Sequence, residues 1–302
     1  MTTDRDPDIG WLRRLLIAAG GLDRRWTFLA MGLAIAVPIL FELQFPESPK
    51  PMARAAFDAI EALPPGSRVV LSFDYDPASE GELQPMANAV VHHCAARGHR
   101  MVFMALWPLG KQKADETIKK ILLPDRPGLV YGTDYVQLGF MAGNEVVIKG
   151  LTGGVEKVFP TDAAGTPLAK LPLVADMKDL QDADLIVSIS AGYPGAKEWV
   201  QYAKSTYPDA YTLVAGSTGV QSNQLFPYYP NQMEGMLAAV KGAAGYEMLV
   251  VEAHPPASAP DRLAEGRRRM GPQFVAHLLM VGLILLGNLS MLASRGTKGG
   301  PR

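Results

Sequence analysis

An uncharged run of 24 residues, Gly271 to Ser294, lies near the carboxyl end of this 302-residue chain. A stretch of this length can cross the hydrocarbon core of a bilayer as one tilted helix. A second apolar run, Trp26 to Leu43, has no charge before Glu42 and reaches the low end of the spanning range. The sequence therefore predicts two transmembrane helices, 26–43 and 271–294.

Basic residues beside the first run set the predicted orientation. Five arginines precede it, the last two being Arg24 and Arg25, whereas the nearest basic residues behind it are Lys50 and Arg54. Since positive charge near a span stays in the cytoplasm, we expect both termini to be cytoplasmic and the central domain to be extracytoplasmic. The reverse topology stays open because three arginines at 267–269 precede the second run. A cleaved signal peptide is the alternative to the first span.

Short β-rich apolar runs alternate with helical patterns between the spans. This alternation predicts an α/β domain with a Rossmann-like, mostly parallel sheet and helices on both faces. The expected strands are 68–73, 101–107, 128–131, 183–189 and 210–215. The expected helices are 51–63, 79–97, 111–122, 194–205 and 231–246.

Prolines and charges mark the segments around that domain, which we place at residues 44–254. Residues 1–25 form a basic segment, which either lies on the inner membrane surface as an amphipathic helix or is a frayed lead-in. Residues 255–270 form a linker rich in proline and arginine, and 295–302 a basic tail. The formal charge is -1, so no basic field favours nucleic acid as a partner. The lipid bilayer is the predicted partner.

A loop rich in carboxylates follows the first expected strand. Four carboxylates, beginning with Asp74 and Asp76, fall within nine residues, where a doubly wound sheet opens its ligand crevice. The D-x-D pattern resembles the first motif of haloacid-dehalogenase-like phosphotransferases, which implies a nucleophilic Asp74, a general acid Asp76 and bound Mg²⁺. Pro77 replaces the usual glycine, and the later motifs are missing. Capping of the next helix by Asp76 or Ser79 is the simpler interpretation.

Glycine-rich turns follow the fourth and fifth expected strands. One holds Gly192 and Gly195, and the other holds Gly216, Ser217 and Thr218. Either turn could present backbone N–H groups to an anion at a helix start, although neither matches a P-loop or G-x-G-x-x-G. Ordinary turn geometry explains the same glycines. With the two aspartates, these residues form the predicted ligand-binding set.

The histidine-rich stretch at His92, His93 and His99 does not have the spacing of a metal site. Adjacent helical residues point roughly 100° apart, so the first two cannot share a face. His99 lies beyond the expected Gly98 cap, and the single Cys94 has no cysteine partner. We therefore predict no metal and no cofactor, except Mg²⁺ under the phosphotransferase alternative.

Small and polar residues predict a homo-oligomer or a membrane complex. A small-residue stripe on helix 231–246, preceded by paired tyrosines, permits close approach of another helix or a sheet. Polar side chains in the second span tend to face another helix. Close internal packing is the alternative. The predicted interface residues are Tyr228, Tyr229, Gly235, Ala239, Gly242, Asn288 and Ser290.

Several segments in order carry a family resemblance: SFDYDPASEGELQPMA, YGTDYVQLGF, FPTDAAGTP, GMLAAVKGAAGYE and AHLLMVGLILLGN. Together they resemble a family of uncharacterised prokaryotic membrane proteins with one transmembrane helix at each end of a single α/β domain. The resemblance runs from about Arg24 to Asn288. It implies the architecture and assigns no catalytic residue.

Two function classes fit the sequence. The first is a membrane-anchored, non-enzymatic binding or assembly subunit whose small-molecule ligand is unknown. The alternative is a haloacid-dehalogenase-like phosphohydrolase or phosphotransferase that uses Asp74 and Asp76. The missing later motifs favour the first class.

Overall fold

A computed structural model describes residues 8–21, 23–45, 48–257 and 260–295. The chain forms two compact units: a helical unit of residues 1–45 with 268–302, and a sheet unit of residues 46–267. The first seven residues of the predicted basic segment and residues 296–302 of the predicted tail lie outside the described residues.

The elements alternate through the sheet unit. In chain order the helices are α1 (Asp8–Gly20), α2 (Arg24–Leu40), α3 (Pro51–Glu61), α4 (Glu80–Ala96), α5 (Gly110–Thr117), α6 (Leu123–Asp125), α7 (Glu145–Leu151), α8 (Val155–Val158), α9 (Ala196–Glu198), α10 (Gly219–Leu225), α11 (Ala239–Ala253) and α12 (Glu265–Arg295). The strands are β1 (Arg68–Asp74), β2 (Arg100–Ala105), β3 (Tyr135–Phe140), β4 (Leu185–Ser190), β5 (Thr212–Ser217) and β6 (Gly235–Ala238). Helices α5 and α9 continue as π-helical turns over Ile118–Leu122 and Trp199–Lys204.

The sheet has six parallel strands in the order β3-β2-β1-β4-β5-β6. This is the order of the doubly wound Rossmann fold, so the predicted α/β class is confirmed. Strands β1 and β4 bury every residue, because helices cover both faces of a parallel sheet. The strand order reverses between them, and their register ends at the pair Asp74↔Ser190. A doubly wound sheet opens its ligand crevice at such a reversal.

The third strand prediction, 128–131, is wrong. The strand is Tyr135–Phe140, and Tyr131 forms only a single bridge to Tyr135. Within β3 the buried Gln137 separates Val136 from Leu138. Its amide donates to Asp115 Oδ1 and its carbonyl oxygen accepts from Gly139 N–H, so a polar side chain satisfied by tertiary contacts interrupts the apolar pattern.

The helix prediction for 231–246 is wrong in its first half. Gly235–Ala238 is the edge strand β6, and α11 begins at Ala239. The backbone changes direction at Ala239, whose φ is 55°. Residues other than glycine rarely adopt a positive φ. Gly235 and Gly242 therefore do not share one side of a helix.

The predicted linker 255–270 is partly helical. Helix α12 begins at Glu265, so the last six residues of that range belong to it. Pro51 is the first residue of α3, as the predicted helix 51–63 requires, and proline favours this position because its missing N–H has no helical partner.

One helix among the described residues is long and apolar enough to cross a membrane: Glu265–Ser294, with mean hydropathy 2.0 and 6% of its most apolar stretch buried. The predicted apolar carboxyl-terminal helix is thus confirmed by length and composition. Helix α2 has 17 residues and does not reach the same length.

Contacts at two points join the helices of the helical unit. At the end of α1, a Cβ on Gly20 would overlap Ser290 Oγ. A Cβ on Gly271 would overlap the carbonyl oxygen of Leu43, and the Phe45 and Phe274 rings lie 4.9 Å apart. Gly20 thus lies beside Ser290 and Leu43 beside Gly271, so α2 runs antiparallel to α12. Small residues permit this close approach between helices.

Candidate functional site

A polar patch lies at the carboxyl ends of β1 and β4. Ser72 and Asp74 are two residues apart on β1, and the register places Ser188 and Ser190 beside them on β4. Because side chains alternate between the faces of a strand, all four share one face. All four are buried.

Asp74, the predicted nucleophile or ligand residue, is fully buried at the end of β1. Its Oδ2 accepts a hydrogen bond from Ser72 Oγ at 2.7 Å, and its Oδ1 accepts one from Leu106 N–H at 2.7 Å. Burial raises the pKa of Asp74 to about 7, and the nearby Glu198 charge adds to the rise, while the Ser72, Leu106 and Trp199 contacts oppose it. A buried carboxyl group with a raised pKa, at a switch point, is a candidate functional group.

One buried polar atom near this carboxyl group has no protein partner. Ser188 Oγ makes no hydrogen bond within the described residues, and the residue is fully buried. The Trp199 side chain is also fully buried, and it interacts with the Asp74 carboxyl group. Buried polar atoms are normally paired with protein groups or water, so Ser188 Oγ can serve a bound water or a ligand.

The first glycine-rich turn folds tightly against β4. A Cβ on Gly195 would overlap the Gly192 carbonyl oxygen and would lie 2.5 Å from Ser190 Oγ. Ser190 Oγ accepts a hydrogen bond from Ala196 N–H at 3.0 Å. Gly195 is therefore explained by close packing, which is the turn-geometry interpretation.

The backbone N–H groups predicted to hold an anion are occupied by the protein's own carboxylates. Gly195 N–H donates to Glu198 Oε2 at 2.9 Å, and Gly219 N–H donates to Glu82 Oε2 at 2.8 Å. Leu106 N–H, after β2, donates to Asp74 in the same way. In each of the two turns, one backbone N–H group is thus paired with a carboxylate of the chain.

The other predicted ligand residues have structural partners. Gly216 lies inside β5, where a Cβ would be 3.1 Å from Met86 Sδ. The hydroxyls of Ser217 and Ser222 are 3.0 Å apart, and Thr218 Oγ1 accepts from Gln221 N–H at 3.4 Å as the cap of α10. The positions of Gly216, Ser217 and Thr218 are thus explained by the end of β5 and by the N-cap of α10.

Asp76 closes the turn before α4. Its Oδ1 accepts a hydrogen bond from Ala78 N–H at 3.1 Å. Ser79 makes no side-chain cap. Asp76 is half-buried and stands in the loop, whereas Asp74 is in the sheet.

A cleft of about 260 Å³ opens beside the polar patch. Gln221 is its most constrained polar residue: Nε2 donates to the Gly192 carbonyl oxygen at 2.8 Å, and the buried Oε1 has no partner among the described residues. Tyr193, on the rim, donates its hydroxyl proton to Glu145. The lining residues are Ala191, Gly192, Tyr193, Lys197, Glu198, Val220, Gln221 and Gln224.

Two larger clefts, of about 450 and 460 Å³, lie along α7 and α8. The charged residues that line the first are exposed, for example Glu156 and Asp176. The smaller cleft is the stronger candidate because it lies beyond the carboxyl ends of β4 and β5 and contains the buried, unpartnered Oε1 of Gln221.

Most predicted interface residues lie within the fold of a single chain. A Cβ on Gly235 would overlap the Ala56 backbone, and one on Gly242 would lie 2.8 Å from the Leu237 carbonyl carbon. Their small size is thus explained by internal packing, the alternative interpretation of the stripe. Ala239 is the residue with positive φ at the start of α11.

The remaining predicted interface residues differ in exposure. Tyr228 and Tyr229 are half-buried against the core rather than exposed, and Ser290 is buried beside Gly20. Asn288 is exposed on α12.

A histidine cluster is the feature that the sequence patterns did not reveal. His93 and His254 both approach one oxygen of Glu61, although 161 positions separate the two histidines. The prediction that His92 and His93 point apart is confirmed, since His92 contacts Asp125 and the His254 carbonyl oxygen. His254 belongs to this cluster and is not an isolated linker residue.

Alternating polar residues at strand ends were the available signal for the polar patch. The strands end in Ser-Phe-Asp on β1 and Ser-Ile-Ser on β4, and a period of two places the polar residues on one face.

Comparisons of the chain with family models, with curated proteins and with solved structures found no match.

Proposed function

We propose that this chain is a membrane-anchored, non-enzymatic binding or assembly subunit that holds a small ligand in the cleft beyond the carboxyl ends of β4 and β5. The observation that supports this best is the cleft at Gln221, whose buried amide oxygen lacks a partner. Clefts at strand-order reversals of α/β sheets commonly bind ligands.

The state of Asp74 favours binding over catalysis. Its two carboxyl oxygens accept hydrogen bonds inside the fold, and it is fully buried. A nucleophile needs access to its substrate, and Mg²⁺ needs free carboxylate oxygens. The phosphohydrolase alternative therefore requires the carboxyl group of Asp74 to leave both partners.

The carboxylates of the crevice favour a neutral or cationic ligand. Glu82, Glu198 and Asp74 occupy the N–H groups that a phosphate would otherwise bind. A phosphate would meet like charge at each position. Lys197 on the cleft wall gives one compensating positive charge.

Ligand screening of the full chain in nanodiscs tests the binding proposal. We expect NAD, ATP and inorganic phosphate to leave the melting temperature unchanged. At least one neutral or cationic ligand, from a panel of sugars, amino acids and polyamines, should raise it. Gln221→Leu should abolish that shift, whereas Gln232→Leu, at an exposed position outside the cleft, should preserve it. Phosphatase activity with Mg²⁺ that disappears in Asp74→Asn would instead support the alternative.

We extend the proposal to two membrane spans, with α2 as the second. From Gly271 to Ser290 a helix rises about 28 Å, close to the hydrocarbon thickness of about 30 Å. The two contacts Gly20–Ser290 and Leu43–Gly271 flank α2 on both sides and lie at the ends of the same distance. They support a span that is longer than the 17 residues of α2 alone.

The proposed topology keeps both termini in the cytoplasm. Cys94 is buried, so an introduced surface cysteine gives the labelling signal. Asp209→Cys, at an exposed position of the sheet unit, should react with an impermeant maleimide in intact spheroplasts. Gly300→Cys should react only after permeabilisation. The opposite pattern would reverse the topology.

We also propose that Asn288 contributes to a homo-oligomer or membrane complex. Its side chain is exposed on the apolar α12 beside Leu285, Leu289 and Leu292. In the part of the chain that the structure describes, its amide makes no hydrogen bond. An amide in hydrocarbon gains from a partner on another helix.

A further inference from the structure

Three helix ends meet at one edge of the sheet unit. Glu61 is the last residue of α3, His93 lies in the last turn of α4, and His254 directly follows α11. The carboxyl ends of helices carry partial negative charge, which favours a cation among them. Among the described residues, Glu61, His93 and His254 form the one group of three such side chains whose ligand atoms lie close enough together to hold a metal ion.

The ligand atoms lie close together. Glu61 Oε2 is 2.8 Å from His93 Nε2 and 2.8 Å from His254 Nε2, and all three atoms lie within 4.8 Å of one another. Two imidazoles and one carboxylate form the ligand set of many zinc sites that keep an open fourth position. A tetrahedral ion with bonds of about 2.0–2.1 Å separates its ligands by about 3.3 Å. Both 2.8 Å contacts are shorter than this separation, so the Glu61 carboxylate must move away from the two imidazoles when an ion binds.

The surroundings prepare His93 to bind a metal. Tyr246 Oη lies 2.8 Å from His93 Nδ1 and can accept a hydrogen bond from the Nδ1–H group when Nε2 binds the metal. The Phe57 ring stacks on the imidazole at 4.6 Å and fixes its orientation.

His254 is held by a second histidine. His92 Nε2 is 2.8 Å from the His254 carbonyl oxygen, and His92 Nδ1 is 2.7 Å from Asp125 Oδ2. These two contacts position the His254 backbone at the end of α11.

The cluster also has an open side and an opposing charge. The side chains of Glu61 and His254 are 34% and 21% exposed, so an ion can enter from solvent and keep a water ligand. Arg97 Nη1 lies 3.4 Å from Glu61 Oε1. It leaves Oε2 as the single metal-binding oxygen, and its charge reduces the affinity for a cation.

We propose that Glu61, His93 and His254 form a binding site for one divalent transition-metal ion of the zinc type. The ion links the ends of α3, α4 and α11. This site stands apart from the crevice at the carboxyl ends of β1 and β4.

Zinc titration of the full, untagged chain in detergent after chelator treatment tests this site. We expect one equivalent of Zn²⁺ to bind in competition with a chromophoric chelator and to raise the melting temperature. His254→Ala and Glu61→Gln change partly exposed residues, so the fold should persist, which circular dichroism checks. Each should weaken binding at least 100-fold, since loss of outer partners alone costs about 10–100-fold.

His277→Ala is the matched control. This histidine lies on α12 and contacts only the carbonyl oxygen of Gln273 in the same helix, so its loss should leave zinc binding unchanged. The proposal is overturned if the wild-type chain binds no zinc, or if Glu61→Gln and His254→Ala bind it as tightly as the wild type. A loss of binding in His277→Ala would place the ion elsewhere and overturn it as well.

Discussion

Replacing Asp74 by asparagine should make the stability of the protein less dependent on pH. Asparagine keeps both contacts, because its carbonyl oxygen can accept from Leu106 N–H and its amide can donate to the Ser72 hydroxyl oxygen. The substitution removes only the ionisation. The crevice geometry and the overall fold should persist.

The magnitude follows from the pKa of Asp74, which burial raises from 3.8 to about 7 in the folded state. For a raised pKa, the stabilising contribution is complete below pH 3.8 and is lost as the pH rises through about 7. Linkage gives an ionisation cost of about 2 kcal/mol at pH 5 and about 4 kcal/mol at pH 8. Between pH 5 and pH 8 the free energy of unfolding of the wild type should therefore fall by about 2–3 kcal/mol relative to that of Asp74→Asn.

Thermal melting of both full-length proteins in the same detergent, at several pH values from 5 to 8, measures this difference. For a domain of this size the relative change corresponds to roughly 5–10 °C in melting temperature. Glu247, whose pKa burial also raises to about 7, is present in both proteins and cancels from the comparison. Asp76→Asn, in the loop, is the control and should follow the wild type. A difference between Asp74→Asn and wild type that stays constant from pH 5 to 8 would refute the reasoning.

Three further predictions concern the crevice, the core and the membrane. Glu82→Ala combined with Glu198→Ala should free two backbone N–H groups and create phosphate binding that calorimetry detects; continued absence of binding would contradict the proposed role of these carboxylates. Gly235→Val should destabilise the protein by roughly 2–3 kcal/mol because its Cβ meets the Ala56 backbone, whereas Gly282→Ala, in open space, should not lower the melting temperature. Asn288→Leu should weaken self-association in liposomes about threefold, as expected for loss of about 0.6 kcal/mol, and unchanged energy transfer between labelled chains would count against Asn288 as a contact.

The central strands could be read from the sequence, whereas the edge strands could not. Strands β1 and β4 are buried on both faces, so each contains a short run of consecutive apolar residues, 69–71 and 185–187. Strand β6 is four residues long and continues directly into α11. Only its ladder with β5, which begins at Val214↔Gly235, makes that small-residue run a strand. The conformation of β6 depends on pairing with β5, and the local sequence pattern gives no information about that pairing.

The candidate site shows the same limit. Asp74 could be placed at a strand end because the strand itself was evident. The partner of Gly219 could not be identified, since Glu82 is 137 positions away and has no local pattern that links it to a turn. The histidine cluster joins Glu61, His93 and His254 in the same non-local way.

The carboxylates that fill the N–H positions have a consequence for movement. In many doubly wound proteins a loop becomes ordered when a phosphate arrives, so ligand binding and loop closure occur together. Here Glu82 accepts a hydrogen bond from the N–H group at the start of α10, and Glu198 accepts one in the turn after β4. These loops are therefore already held by carboxylates of the same chain. A ligand would enter a preformed recess and pay little ordering entropy. We therefore expect hydrogen exchange of the Gly195 and Gly219 amides to be equally slow before and after ligand binding.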